Sequence, residues 1–280
     1  MVEGGDFMIG VFDSGFGGLT ILKSIVGIMP DYDYLYLGDN ARVPYGTRSQ
    51  RMVYEFTRQA VEYLFLQGCP LVIIACNTAS ARALRKIQQE YLPVSHPDRR
   101  VLGVIRPSAE EMVERGVRSV GILATEGVVA SGIYCEEIRS LAPDTRVYQQ
   151  ACPLLVPIIE AGEDKWEGTD MIIAKYLQGL YAQDDGIATI LLACTHYPIL
   201  LEQFVQQVGS RAVVLDQGPI VARKLKGYLS RHPDMAERIS RDRKRYFLTT
   251  DTSDRFDRLA RVFYGESIQS QFISLDSLCS

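Results

Sequence analysis

The chain has 280 residues, 47% of them apolar, and a formal net charge of −4 at pH 7. That length suits one large domain or two ordinary ones, and the apolar share supports a packed core, which excludes a disordered chain. The mild acidity leaves no electrostatic footprint for nucleic acid, and the apolar runs are too short to span a bilayer.

The first residues, MVEGGDF, lack the basic start and long apolar stretch of a signal peptide, so a cytoplasmic protein is expected. A strand is expected over Met8–Phe12, leading into IGVFDSGFGGLTIL (Ile9–Leu22). This glycine-rich turn invites a nucleotide reading. Gly10 and Gly15 have P-loop spacing, but Phe16 and Gly17 stand where Lys and Ser/Thr belong. Gly15 and Gly17 give half of a dinucleotide fingerprint, with no third glycine. Asp13 would also repel a phosphate. Ser14 and the following backbone amides remain suited to a small carboxylate at a helix start.

Further strands are expected over Tyr34–Leu37, Leu71–Ala75, Val101–Val104, Ser119–Leu123, Arg146–Tyr148, Thr189–Ala193 and Ala212–Leu215. Helical spacing covers Arg51–Gln67, Ser80–Tyr91, Ala109–Arg115, Ser131–Leu141, Thr169–Leu180 and Pro198–Val208. Gly68 and Gly116 stand where C-caps belong. The tail beyond Asp216 reads as helical and packs back on the first lobe. Its basic patch RDRKRY (Arg241–Tyr246) reads as solvated surface. Alternation of this kind predicts an α/β fold with mostly parallel sheets flanked by helices. In such sheets ligands bind beyond the strands' carboxyl ends.

Two strand ends match. LVIIACNTAS (Leu71–Ser80) and TILLACTHYP (Thr189–Pro198) both run from a buried strand through Ala-Cys to a threonine and a helix start. They predict two similar lobes, 1–104 with 217–280 and 105–216. The loop GDNARVPYGTRS after Leu37 is also polar. Six cysteines (Cys69, Cys76, Cys135, Cys152, Cys194 and Cys279) show no CxxC pair and no zinc spacing, so free thiols are expected. Cys194 and His196 would point the same way in an extended segment, and an imidazole favours a thiolate. Helix starts after both cysteines would lower their pKa further. Asp13 would lie near Cys76 if the first and third strands are neighbours. A metal site, a redox pair, a Cys–His nucleophile and a two-base acid–base pair all use such residues. The last explains the two-fold arrangement best.

GVFDSGFGGLTIL, DNARVPYGTRS, IIACNTAS, TEGVVASGIY and LLACTHYPIL together resemble the signature segments of glutamate racemase, in the aspartate/glutamate racemase superfamily. The resemblance implies two α/β lobes with the active site in the cleft between them, and cofactor-independent (PLP-independent) interconversion of L- and D-glutamate for peptidoglycan, with glutamate as the small-molecule partner. It implies no metal, nucleic acid or membrane; a homodimer is compatible with it, since the family is often dimeric. It assigns Cys76 to the D-enantiomer's proton and Cys194 to the L-enantiomer's. Asp13 would assist Cys76, and His196 would assist Cys194. Asp13, Ser14, Tyr45, Gly46, Asn77, Thr78, Thr125, Thr195 and His196 match substrate-contacting positions, and Glu160 matches an acidic position near the site. Val128 replaces a second threonine of many members, and GVIRPSAE departs from the family pattern at Arg106 and Ser108. Another small acid, such as aspartate, is the alternative substrate. A thiol sensor or partner-binding module, of the kind reported for some racemases with DNA gyrase, is the non-catalytic alternative.

Overall fold

A computed structural model describes residues 7–275. Most of the N-terminal MVEGGDF segment and Cys279 lie outside the described residues. The strands, in chain order, are β1 (Ile9–Asp13), β2 (Tyr34–Gly38), β3 (Leu71–Ile74), β4 (Arg100–Gly103), β5 (Ser119–Ala124), β6 (Arg146–Ala151), β7 (Thr189–Ala193), β8 (Val213–Asp216), β9 (Arg245–Thr249) and β10 (Ser270–Phe272). They form two sheets, ordered β10-β9-β2-β1-β3-β4 and β6-β5-β7-β8, with every pairing parallel.

Strands β1, β2 and β3 are buried along their whole length. Their unbroken apolar runs suit a parallel sheet covered on both faces. The four strands β1–β4 are laid out 2-1-3-4, and β5–β8 repeat that layout as 6-5-7-8. In each sheet the order of strand addition therefore reverses between its first and third strands. Beyond the carboxyl ends at such a reversal the chain leaves a crevice. Asp13 and Cys76 flank one crevice; Thr125 and Cys194 flank the other. The expectation that β1 and β3 are neighbours holds, with Phe12 paired to Ile74.

Helices cover the sheets. The helix Gln50–Leu66 is capped by Ser49, whose hydroxyl accepts from the Met52 N–H, and it buries Val53, Ala60, Val61 and Leu64. A cap of this kind stabilises by about 1 kcal/mol. Gly68 and Gly116 have positive φ, +88° and +63°, as expected of C-caps. The expected helix Ser131–Leu141 starts earlier and is divided. Thr125 caps Glu126–Ser131, and Gly132 at φ +68° separates it from Ile133–Leu141. The expected Ser80–Tyr91 helix begins at Asn77 and contains wide i→i+5 turns at Ser80–Leu84 and Ile87–Tyr91.

Two readings of the tail are corrected. It is not purely helical, because β9 pairs with β2 and β10 with β9. Its strand signal was masked by the charges flanking a short apolar core. Nor is Arg241–Tyr246 merely solvated surface. Arg243 Nε donates to Asp31 at 2.8 Å, Arg245 Nη1 donates to the Tyr32 carbonyl at 2.6 Å, and Arg241 lies over the Tyr32 ring. The basic patch clasps the turn before β2.

The helix Ser253–Tyr264 carries Phe256 and Phe263 onto Phe16, with ring centroids 5.4 and 6.3 Å away. Those rings belong to an apolar cluster that also contains Cys194, Tyr197 and Leu200. The two sheets thus share one continuous core behind the strand ends. Among the described residues, no helix is long and apolar enough to cross a membrane.

Candidate active site

The turn after β1 is organised by Asp13. Its carboxylate accepts the Gly15 N–H at 2.9 Å and that of Gly18. Those two amides therefore face Asp13 and not an external carboxylate, which corrects part of the sequence expectation. The other oxygen, Oδ1, is buried without a hydrogen-bond partner. Burial pushes the Asp13 pKa up, partly opposed by the positive charge of His196 and by the two N–H groups.

Ser14 Oγ lies 3.3 Å from Cys76 Sγ. Cys76 caps the helix that begins at Asn77, and its sulfur accepts from the Ala79 N–H at 3.4 Å. The expected lowering of its pKa does not occur. Burial and the charge of Asp13 outweigh the hydrogen bonds from Ser14 and Ala79 and push the thiol up to about 12. Cys194 is close enough for its charge to act in the same direction.

Beyond β7 the chain is not extended. The Tyr197 N–H returns to the Cys194 carbonyl at 3.1 Å, and His196 is in the helical region. His196 still reaches the Cys194 sulfur, through this turn and not through strand alternation. Its Nε2 lies 2.9 Å from Glu160 Oε1. Burial disfavours the charged ring. Its hydrogen bonds to Cys194 and Glu160, and their charges, win and hold its pKa at about 10. Glu160 ends the short helix Leu155–Glu160. Phe263 packs edge-on to the imidazole at 5.0 Å.

The two strand-end clusters meet directly. Thr20 Oγ1 donates to the Thr195 carbonyl at 2.9 Å. A Cβ on Gly17 would collide with the Thr195 hydroxyl and the His196 ring, so only glycine allows this approach. Thr78 Oγ1 lies 3.2 Å from Thr125 Oγ1, and a Cβ on Gly46 would lie 3.6 Å from that of Thr125. Asp13, Ser14, Cys76, Thr78, Thr125, Cys194, Thr195, His196 and Glu160 are thus drawn together.

Tyr45 and Asn77 are placed differently. The Tyr45 hydroxyl donates to the buried Asp39 carboxylate, which also takes Arg42 Nε at 2.7 Å and Thr250 Oγ1 at 2.9 Å. The Asn77 carboxamide is engaged by Tyr134 and Gln217. Either residue would meet a ligand through other atoms. Val128 is fully buried, and its N–H donates to Thr125. Arg106 pairs with Glu137 at 3.0 Å and Glu110 at 3.2 Å, and Ser108 accepts from Gln217. Reading strand ends missed Gln217 and Tyr134. Gln217 follows β8 directly and was open to the same rule. A cavity of about 1060 Å³ opens nearby between Arg48, Arg82, Arg106 and Lys224, and neither Cys76 nor Cys194 lines it.

Among the described residues, no group of three or more His, Cys, Asp or Glu side chains could hold a metal ion. The described cysteines, Cys69, Cys76, Cys135, Cys152 and Cys194, are free.

A sequence model of the Asp/Glu/hydantoin racemases matches residues 17–225. The glutamate racemase of Paracoccus denitrificans is 38% identical over 274 residues, covering 93% of this chain and 98% of that protein. The structure of Francisella tularensis glutamate racemase in complex with D-glutamate superposes with a TM-score of 0.86 at 32% identity, covering 97% of this chain and 99% of that one. The Thermus thermophilus glutamate racemase structure, in complex with beta-chloro-D-alanine, gives 0.82 at 31% identity, covering 98% and 99%.

Proposed function

This chain belongs to the Asp/Glu/hydantoin racemase family, and from that premise we propose that it interconverts L- and D-glutamate with Cys76 and Cys194 on opposite faces of the α carbon. It is an isomerase of the amino-acid racemase type. One observation carries the two-cysteine reading. Each cysteine follows the third strand of a sheet laid out in the same order, and each has its own polar partners.

With L-glutamate bound, Cys194 as thiolate takes the α proton, and the C–H electron pair passes into the carboxylate-stabilised carbanion. The Cys76 thiol then gives its proton to the opposite face. The D-to-L direction runs the same steps in reverse. The unpartnered Asp13 oxygen receives the substrate ammonium. Burial, and after it the Asp13 charge, hold Cys76 up at about 12; the cation lies where it offsets the Asp13 charge, so substrate binding helps prepare the base. His196, kept charged by Glu160, donates to the Cys194 sulfur. Ser14, Thr78, Thr125 and Thr195, with the Tyr45–Gly46 turn and the Asn77 backbone, orient the two carboxylates. Two thiols supply both acid and base, so the reaction calls for no PLP. The segments 1–104 with 217–280 and 105–216 act as the two lobes. D-glutamate made this way feeds peptidoglycan synthesis in the cytoplasm.

The test is D-glutamate formation from L-glutamate without added cofactor, with aspartate as the competing substrate. Deuterium from the solvent enters the α position of both enantiomers. Cys76→Ser and Cys194→Ser each lose nearly all racemisation, and full activity in either variant would overturn the mechanism.

A further inference from the structure

Next to the thiols lies a buried polar relay that the mechanism does not use. Asn77, adjacent to Cys76, accepts from the Tyr134 hydroxyl at 2.6 Å through Oδ1 and donates to Gln217 Oε1 at 2.6 Å through Nδ2. Gln217 Nε2 donates to the Tyr134 oxygen at 2.6 Å and to Ser108 Oγ at 2.9 Å. Ser108 Oγ donates a hydrogen bond to the Val104 carbonyl at 2.8 Å. Gln217, Tyr134 and Ser108 are essentially inaccessible to solvent, and Asn77 nearly so. Only one arrangement of protons satisfies all these contacts, so the relay fixes the orientation of both carboxamides.

The relay also spans the molecule. Asn77 begins the helix that Cys76 caps, after β3 of the first sheet. Tyr134 lies on Ile133–Leu141, and Ser108 on Ile105–Glu114, both packed against the second sheet. Gln217 opens the helix Gln217–Arg231, directly after β8. Tyr134 also stands near enough to Cys194 to feel its charge. A single hydrogen-bonded unit therefore touches the turn holding one thiol and the surroundings of the other.

We propose that Gln217 and Tyr134 are positioning residues for proton transfer, locking the Asn77 carboxamide so that the Cys76 turn faces Cys194 across the substrate. This rests on the two-cysteine reading above. Removing a member leaves a buried donor or acceptor without its partner, and the turn carrying Cys76 shifts to relieve it. A misplacement of this size slows catalysis about 10- to 100-fold.

The test uses the full-length protein and the variants Tyr134→Phe and Gln217→Leu, both near in volume to the native side chain. Enantiomers have equal energy, so kcat/KM must agree in the two directions, and the informative readout is the α-deuterium isotope effect. Displacing Cys76 makes its proton removal more rate-limiting. The effect with α-deuterated D-glutamate rises, and that with α-deuterated L-glutamate falls. kcat drops about 10-fold or more in both variants. A merely structural role lowers Tm but leaves both isotope effects at wild-type values, and that outcome overturns the proposal. Should Gln217→Leu fail to fold, Tyr134→Phe, which loses only the hydroxyl, decides alone. If the wild-type protein does not racemise glutamate, the underlying reading falls. If it does and the variants keep its isotope effects, only the positioning role falls.

Discussion

Glu160 Oε1 lies 2.9 Å from His196 Nε2, joining the end of a short helix to the turn that carries Cys194. The residues are 36 apart in the chain. Their contact helps hold the His196 pKa at about 10 against burial. Glu160→Gln keeps a hydrogen-bond acceptor but removes the charge. The ring then loses its proton at lower pH, and the high-pH limb of the kcat/KM profile moves down with it. The expected loss in kcat is about tenfold or more. An unchanged pH profile would detach Glu160 from the reaction.

Asp13 is a buried carboxylate with one oxygen left unpartnered. Burial raises its pKa from 3.8, so the ionised carboxylate costs stability at every pH above that value. Asp13→Asn removes the charge and keeps the shape. The variant is expected to gain about 0.5–2 kcal/mol in stability, in the range of relieved active-site strain. Its racemisation falls sharply, because the substrate ammonium loses its charged partner. Thermal melts and initial rates on the same preparation check both halves. A variant that is less stable, or equally active, contradicts this account of Asp13.

Gly17 and Gly27 separate a glycine required by contact from one that is not. A Cβ on Gly17 meets Thr195 and His196, whereas one on Gly27 meets nothing within 4 Å. Gly17→Ala is expected to destabilise by about 1–3 kcal/mol and to suppress activity by prising the two strand ends apart. Gly27→Ala, inside a helix, is expected to stabilise by roughly 0.5–1 kcal/mol with normal turnover. Equal effects of the two substitutions would mean that the close approach at Gly17 has no energetic weight.

The site also predicts how stability follows pH. The raised pKa of His196 contributes stability that is complete below its ordinary value of 6.5 and disappears as pH rises towards 10. Cys76 follows the same sign at higher pH, complete below 9.0 and lost towards 12. Substrate-free protein should therefore weaken steadily from neutral to alkaline pH. His196→Asn should flatten the part of the curve below pH 9. Urea melts across that range measure it, and parallel curves for the two proteins rule out this linkage.

Much of the fold was legible because its signals are local. The apolar runs ending at Asp13, before Cys76 and before Cys194 are short, unbroken and followed by helix starts. The left-handed glycines Gly68 and Gly116 stand where their helices stop. Strands β9 and β10 were not legible, since each takes its place from a neighbour already in the sheet. The Cys76 thiol was misjudged for a related reason. A cap position suggests a lowered pKa, but burial and the facing Asp13 reverse it.

The sequence by itself determined most of the elements, their alternation and the matched cysteine segments, because strand and helix periodicity and cap chemistry act over a few neighbouring residues. Only the tertiary structure decided which distant groups meet. It placed Thr20 on Thr195, Thr78 against Thr125 and Asn77 on Gln217, contacts 175, 47 and 140 residues apart. Such pairings carry no local signature. They form because packing two sheets around one apolar core brings their strand ends together, and buried polar groups there must find partners in each other.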